Sequence, residues 1–171
     1  MEKYTLYIKP DFKVGKVLVV YYSLSGKTEK IAEQIAELTG GDLYKIKTEE
    51  EIKLGSTFYI KARKQLYSGQ YPKIVKDWPD FKKYDTIFVG GPVWWYAPAT
   101  PLLAFLKKAD FNGKKVVPFS TQGSNYGGFY TDFNKLAKNA KLRQYAAFNN
   151  MSEKYDQRVK HKIVNWINSI K

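Results

Sequence analysis

From Val17 to Tyr22 the chain is apolar without a break and rich in β-branched side chains, the pattern of a strand covered on both faces. After Ser23 the period changes. Ile31, Ile35 and Leu38 line one face with Ala32 and Ala36 beside them, which predicts a helix over Thr28–Leu38, stopped by Gly40 and Gly41. Leu43, Tyr44 and Ile46 make a second, weaker strand, and Thr86-Ile-Phe-Val-Gly-Gly a third of the buried type. Pro101 opens a helix carrying Leu102, Leu103, Phe105 and Leu106. Val116, Val117 and Phe119 read as a fourth strand, with Pro118 out of keeping with a central position. Phe133, Leu136 and Ala137 mark a short helix, Leu142–Phe148 a fifth strand, and Val159, Ile163, Trp166, Ile167 and Ile170 the core stripe of a last helix from about Ser152. Ahead of all these, Tyr4, Leu6 and Ile8 alternate with Thr5 and Tyr7, suggesting an additional edge strand in an N-terminal extension over residues 1–14. Glu49–Gln70 is the hardest stretch to read; Phe58, Ala62 and Leu66, four apart, suit the inner face of a helix.

Strands alternating with helices imply an α/β fold with a doubly wound parallel sheet, and 171 residues without repeat or linker imply one domain over 1–171. No apolar run approaches the ~20 residues of a membrane helix, and Met1–Pro10 lacks the apolar core of a secretory signal, so a cytoplasmic protein is expected. The chain has no cysteine, which removes disulfides, thiolate catalysis and cysteine-based metal sites. A single histidine, His161, leaves little for a histidine metal centre or a catalytic triad; its expected place is the surface of the last helix. Chemistry must therefore come from something bound.

Ligands on such sheets sit beyond the carboxyl ends of the strands, so the segments leaving strands one, three and four are the candidates. Ser23-Leu-Ser-Gly-Lys-Thr28 joins the first strand to its helix. A helix N-terminus offers unpaired N–H groups and a positive dipole end; three hydroxyls, Gly26 and Lys27 add to a phosphate seat. A serine or threonine cap in a tight turn is the plainer alternative. Gly26-Lys27-Thr28 imitates the end of a P-loop, but Tyr21 stands where that motif needs its first glycine, and the third strand ends without an aspartate for magnesium. Gly91-Pro-Val-Trp-Trp-Tyr-Ala-Pro98 places three consecutive aromatics at a strand end, a platform for a flat heterocycle or a protein-binding hot spot. Thr121-Gln-Gly-Ser-Asn-Tyr-Gly-Gly128 lets backbone amides approach a ring edge, with Tyr126 to stack or shield.

The three loops together resemble a flavodoxin, more narrowly the short-chain flavodoxin-like proteins of bacteria with a Pro-x-Trp-Trp loop. The resemblance runs from about Lys16 to Phe148 and implies a five-stranded sheet of order 2-1-3-4-5 binding FMN. Carried over by position, Ser23, Leu24, Ser25, Gly26, Lys27 and Thr28 would surround the phosphate. Pro92, Val93, Trp94, Trp95 and Tyr96 would border the isoalloxazine, and Thr121, Gln122, Gly123, Tyr126 and Gly127 would close the far side. Such a protein passes electrons as carrier or small reductase, its counterpart a redox protein or NAD(P)H with a quinone. Glu49–Gln70 is left without a role unless it covers the flavin. This chain departs from the family pattern in charge: 29 Lys and Arg against 16 Asp and Glu give +13, whereas electron-carrier flavodoxins are acidic. A basic field should raise the potential of a bound flavin, through the lysines near the ring. The same charge keeps a second function in view, a nucleic-acid or anionic-surface module without redox turnover, and the aromatics a third, a protein-interaction domain. Because the lysines are scattered rather than gathered into one block, nucleic acid is the weaker partner.

Overall fold

The uninterrupted apolar run does become a strand with every side chain buried, because a neighbour lies on each side of it and helices cover both faces. The computed structural model describes residues 12–149 and 157–171. In chain order the elements are β1 (Val17–Tyr21), α1 (Lys27–Thr39), β2 (Asp42–Lys45), α2 (Phe58–Ser68), a 3-10 turn (Phe81–Lys83), β3 (Thr86–Trp94), β4 (Ala97–Pro98), α3 (Thr100–Lys108), β5 (Lys115–Gln122), α4 (Phe129–Leu136), β6 (Lys141–Leu142), β7 (Ala146–Asn149) and α5 (Gln157–Ser169). The sheet runs β2-β1-β3-β5, and β6 and β7 follow one another beside β5; all these pairs are parallel. β4 is antiparallel, folding back on the end of β3. The lane order is the expected 2-1-3-4-5 of a doubly wound sheet.

Each face buries its own core. Ile31, Ala32 and Ile35 of α1 and Ile163, Trp166 and Ile167 of α5 pack on Val17, Val19, Phe88, Val117 and Phe119. Opposite them, Leu102, Phe105 and Leu106 of α3 and Phe129 and Phe133 of α4 pack on Leu18, Ile87, Val89 and Val116. Gly40 ends α1 with φ 67°, the left-handed cap that glycine adopts without strain. His161 lies exposed on α5. The expected edge strand Tyr4–Ile8 and the start of the last helix at Ser152 lie outside the described residues. Of the N-terminal extension, Val14 is buried and its carbonyl accepts the Thr86 hydroxyl at 2.6 Å.

One expectation needs correcting. Leu142–Phe148 is not a single strand: it divides into β6 and β7, with residues 143–145 between them. Arg143 donates its N–H to the Val116 carbonyl, so even-numbered residues of β5 address this outer lane. Pro118 does so too, and has no N–H to offer. The gap falls opposite it, which is how a proline sits in a strand paired on both sides.

Gly90 lies where a Cβ would stand 2.4 Å from two carbons of the fully buried Phe119 ring. Gly90→Ala should therefore lower stability by about 2 kcal/mol, because a packed core absorbs an added methyl only by straining. Urea unfolding measures this, and Gly90→Ala with Phe119→Leu should recover part of the loss. An unchanged midpoint for the single variant would contradict the packing described.

Candidate functional site

The turn between β1 and α1 leaves a cluster of backbone donors free. Gly26 has φ 90° and turns the chain into the helix without a capping side chain of its own. Ser23 Oγ instead accepts the N–H groups of Gly26 (3.2 Å) and Glu29 (3.3 Å), so Ser23 caps the turn from behind. Among the described residues the amides of Ser25, Lys27 and Thr28 meet no acceptor, the state of a helix start prepared for an anion. The carboxylate of Glu29, in the first turn of α1, is engaged by Lys45 at 3.3 Å and by the Tyr21 hydroxyl at 2.9 Å. Burial, and then that bond to Glu29, push the Tyr21 phenol well above its ordinary range. Thr28 Oγ1 is buried and lies 2.7 Å from Thr121 Oγ1, which ties the first loop to the third.

The second loop is a tight hairpin. β3 runs on through Trp94 and β4 returns beside it, Val93 opposite Pro98 and Trp94 opposite Ala97, leaving Trp95 and Tyr96 as a two-residue turn. Their φ values, 51° and 61°, are both left-handed, the type I′ pattern that normally selects Asn-Gly. Such backbone costs a side-chain-bearing residue about 1–2 kcal/mol, so the turn persists only because it is held. Trp95 donates its indole N–H to the Tyr59 carbonyl at 2.7 Å, the Arg63 guanidinium lies 5.1 Å over the Trp95 ring, and Gly128 N–H donates to the Tyr96 carbonyl at 2.7 Å. Trp94 differs from its neighbours. It is half-buried, edge-on to Phe58 (4.9 Å) and Tyr22 (5.6 Å), and so belongs partly to the core.

In the third loop Thr121 is buried, and the Gln122 side chain is fixed by Ser120, which donates to it at 2.8 Å, and by Asn149. Tyr126 turns toward Tyr145, hydroxyl to hydroxyl at 2.9 Å, with its ring 5.0 Å from Tyr130.

These loops meet at one cavity of 340 Å³ beyond the carboxyl ends of β1, β3 and β5. Of the sixteen residues singled out from the sequence, Leu24, Ser25, Lys27, Thr28, Pro92, Val93, Trp94, Trp95, Thr121, Gln122 and Gly123 line it. Ser23, Gly26, Tyr96, Tyr126 and Gly127 do not; they shape the loops from behind. Leu54, Phe58 and Tyr59, from a segment to which the sequence assigns no role, also line the cavity and are missed by sequence reasoning. The signal was the spacing of Phe58 and Ala62, which are the buried residues of α2.

One end of the cavity is polar and cationic and the other is walled by indoles and phenyl rings, a donor set that fits a flat heterocycle carrying a phosphate. Among the described residues no cluster of histidine, aspartate or glutamate suits a metal ion, and no helix is long and apolar enough to cross a membrane.

A family model for flavodoxin matches residues 16–170. A flavoprotein of Lactobacillus acidophilus solved in complex with FMN is 30% identical, with a TM-score of 0.70 over 78% of this chain and 93% of its own. The apo-form of the Lactobacillus acidophilus flavoprotein is 31% identical, with a TM-score of 0.63 over 80% and 93%. A flavodoxin of Streptococcus pneumoniae shares the fold at 16% identity, with a TM-score of 0.54 over 88% and 94%. The curated proteins contain no match to this sequence.

Proposed function

Since the chain belongs to the flavodoxin family, we propose that it holds one FMN in the 340 Å³ cavity and passes electrons through it, as a carrier or as a small reductase. The observation that carries this reading is the convergence of three strand ends on a cavity with unpartnered amides at one end and indoles at the other. The amides of Ser25, Lys27 and Thr28, the Ser25 hydroxyl and the Lys27 ammonium would bind the phosphate, with the α1 dipole behind them. Trp94 and Trp95 would border the ring system, while Thr121, Gln122 and Gly123 meet its polar edge. Leu54, Phe58 and Tyr59 would exclude water, which strengthens every electrostatic contact inside. Bound FMN supplies reversible electron uptake; the protein's part is to hold, orient and tune it.

The purified protein should be yellow and bind added FMN in a one-to-one ratio. Ser25→Ala should weaken FMN about tenfold and leave riboflavin unchanged, since a hydrogen bond to a charged group contributes about 1.5 kcal/mol or more. Equal loss for both flavins would mean that Ser25 does not face the phosphate. Oxidation of NADH or NADPH with a quinone or dye as acceptor distinguishes the reductase from the carrier, which takes its electrons only from another protein.

A further inference from the structure

Seven large apolar side chains are exposed among the described residues, and six of them form one region: Leu54, Tyr59, Ile60, Tyr67, Trp95 and Tyr96. Helix α2 supplies half of this. Only Phe58 and Ala62 of its eleven residues are buried, and Ile60 and Tyr67 are 71% and 77% exposed. Tyr59, Arg63 and Tyr67 recur every four residues on the outward side, with Ile60 and Lys64 alongside. The hairpin tip joins the same face, because Trp95 is hydrogen-bonded to the Tyr59 carbonyl and Arg63 stacks over both the Trp95 ring (5.1 Å) and the Tyr67 ring (5.5 Å).

The charge on the outward side of α2 has one sign. Residues 52–76 contain Lys53, Lys61, Arg63, Lys64, Lys73 and Lys76 and no aspartate or glutamate. Among the described residues only Lys53 of the six forms an ion pair, with Glu51 at 3.9 Å. Lys53, Lys61 and Lys73 line a 560 Å³ cavity together with Glu49, Glu50 and Glu51, and Asp132 and Lys135 share a concavity with Trp95 and Tyr96, whereas the outer concavity of Ile60, Arg63, Lys64, Tyr67 and Ser68 has no carboxylate.

We propose that the outer face of α2, with the Trp95–Tyr96 hairpin, is a docking surface for an anionic phospholipid bilayer. Tyrosine and tryptophan rings with lysine and arginine stems are the side chains that settle at a membrane–water boundary, and each cation adds attraction to anionic headgroups. A surface of one sign suits a uniformly anionic sheet. Nucleic acid would use the rings and cations, but gives Ile60 nothing apolar to enter. The net charge of +13 adds a general attraction to such a sheet. Leu54, Tyr59 and Trp95 also line the cofactor cavity, so insertion is assigned to Ile60 and Tyr67, which do not, and the test is run on protein with and without added FMN.

Co-sedimentation with vesicles of mixed phosphatidylglycerol and phosphatidylcholine, against pure phosphatidylcholine, is the experiment. Binding is expected only to the anionic vesicles and should fall steeply with salt. Arg63→Glu with Lys64→Glu should weaken it about tenfold or more, while the charge-matched Lys82→Glu with Lys83→Glu, on the 3-10 turn, should weaken it less than about threefold. Ile60→Ser with Tyr67→Ser keeps the charge and should also weaken it about tenfold, by removing what inserts. Circular dichroism checks that each variant is folded. The proposal is overturned if wild-type protein ignores anionic vesicles at low salt. It is equally overturned if the two charge variants lose binding alike, if Ile60→Ser with Tyr67→Ser binds as well as wild type, or if an oligonucleotide of equal charge binds this face more tightly than the vesicles.

Discussion

Raised above pH 10, the protein should unfold cooperatively rather than titrate smoothly. Tyr21, Tyr22, Tyr44, Tyr84 and Tyr130 are all buried. Burial pushes the Tyr22 phenol up to about 12. Burial with the bond to Asp42 does the same for Tyr84, also to about 12. Tyr44 is raised by burial and by its bond to Asp77, and Tyr130 by burial. An unfolded tyrosine ionises near pH 10, so above that pH the unfolded chain binds fewer protons than the folded one. The stability these phenols contribute is complete below pH 10 and is lost as pH rises toward 12 and beyond. Tyr22 alone accounts for about 3 kcal/mol of that loss, a large share of the ~5–15 kcal/mol of a domain.

Tyrosinate absorbance and far-UV circular dichroism, followed together, check this. The buried phenols should ionise in the same step that melts the helices. Lysines lose their charge in the same range and relieve mutual repulsion, which works the other way, so the comparison with Tyr22→Phe isolates the effect. The Tyr22 hydroxyl has no partner among the described residues, so this substitution should cost little at pH 7 and move the alkaline midpoint upward. Full ionisation with the helical signal intact, or no change in Tyr22→Phe, would refute the account.

What could be read from the sequence follows from where burial is uniform. Val17–Tyr21 and Thr86–Gly91 announce themselves as strands because both faces are covered, and Ile31, Ala32 and Ile35 announce a helix because only one is. The division between Leu142 and Ala146 was not legible, since its cause, Pro118, lies on the neighbouring strand. The turn at Trp95 and Tyr96 carries no glycine or asparagine; what imposes it are contacts with residues 30 or more positions away, Tyr59 and Gly128. Helix α2 was obscured by the apolar residues it turns outward, Ile60 and Tyr67, which blur the inward period of Phe58 and Ala62. At the phosphate loop, counting hydroxyls identified the place but not the division of labour. Ser23 serves the turn and Thr28 meets Thr121, which leaves Ser25 facing the cavity.

That division makes the ring end, rather than the phosphate end, the more fragile part of the proposed FMN site. Gly127→Val should weaken both FMN and riboflavin about a hundredfold, although Gly127 does not line the cavity. Its φ is 51°, and a Cβ there would stand 2.4 Å from Tyr96 Cβ and 2.9 Å from both Tyr96 Cα and its carbonyl oxygen. Two of these are backbone atoms, so relief requires the hairpin itself to move. The turn is already strained, and the adjoining bond from Gly128 N–H to the Tyr96 carbonyl is one of the few contacts that hold it. Once it shifts, Trp95 leaves the cavity wall and releases the Tyr59 carbonyl, loosening α2 over the same opening. Gly113→Val is the control: its φ is 76°, with nothing within 4 Å of the added Cβ, so it carries the backbone strain without the collision. It should lower stability and leave flavin affinity intact. Should the two variants bind flavin equally well, Tyr96 is not the brace that positions the indole. Should Gly127→Val lose FMN but keep riboflavin, the third loop serves the phosphate instead of the ring.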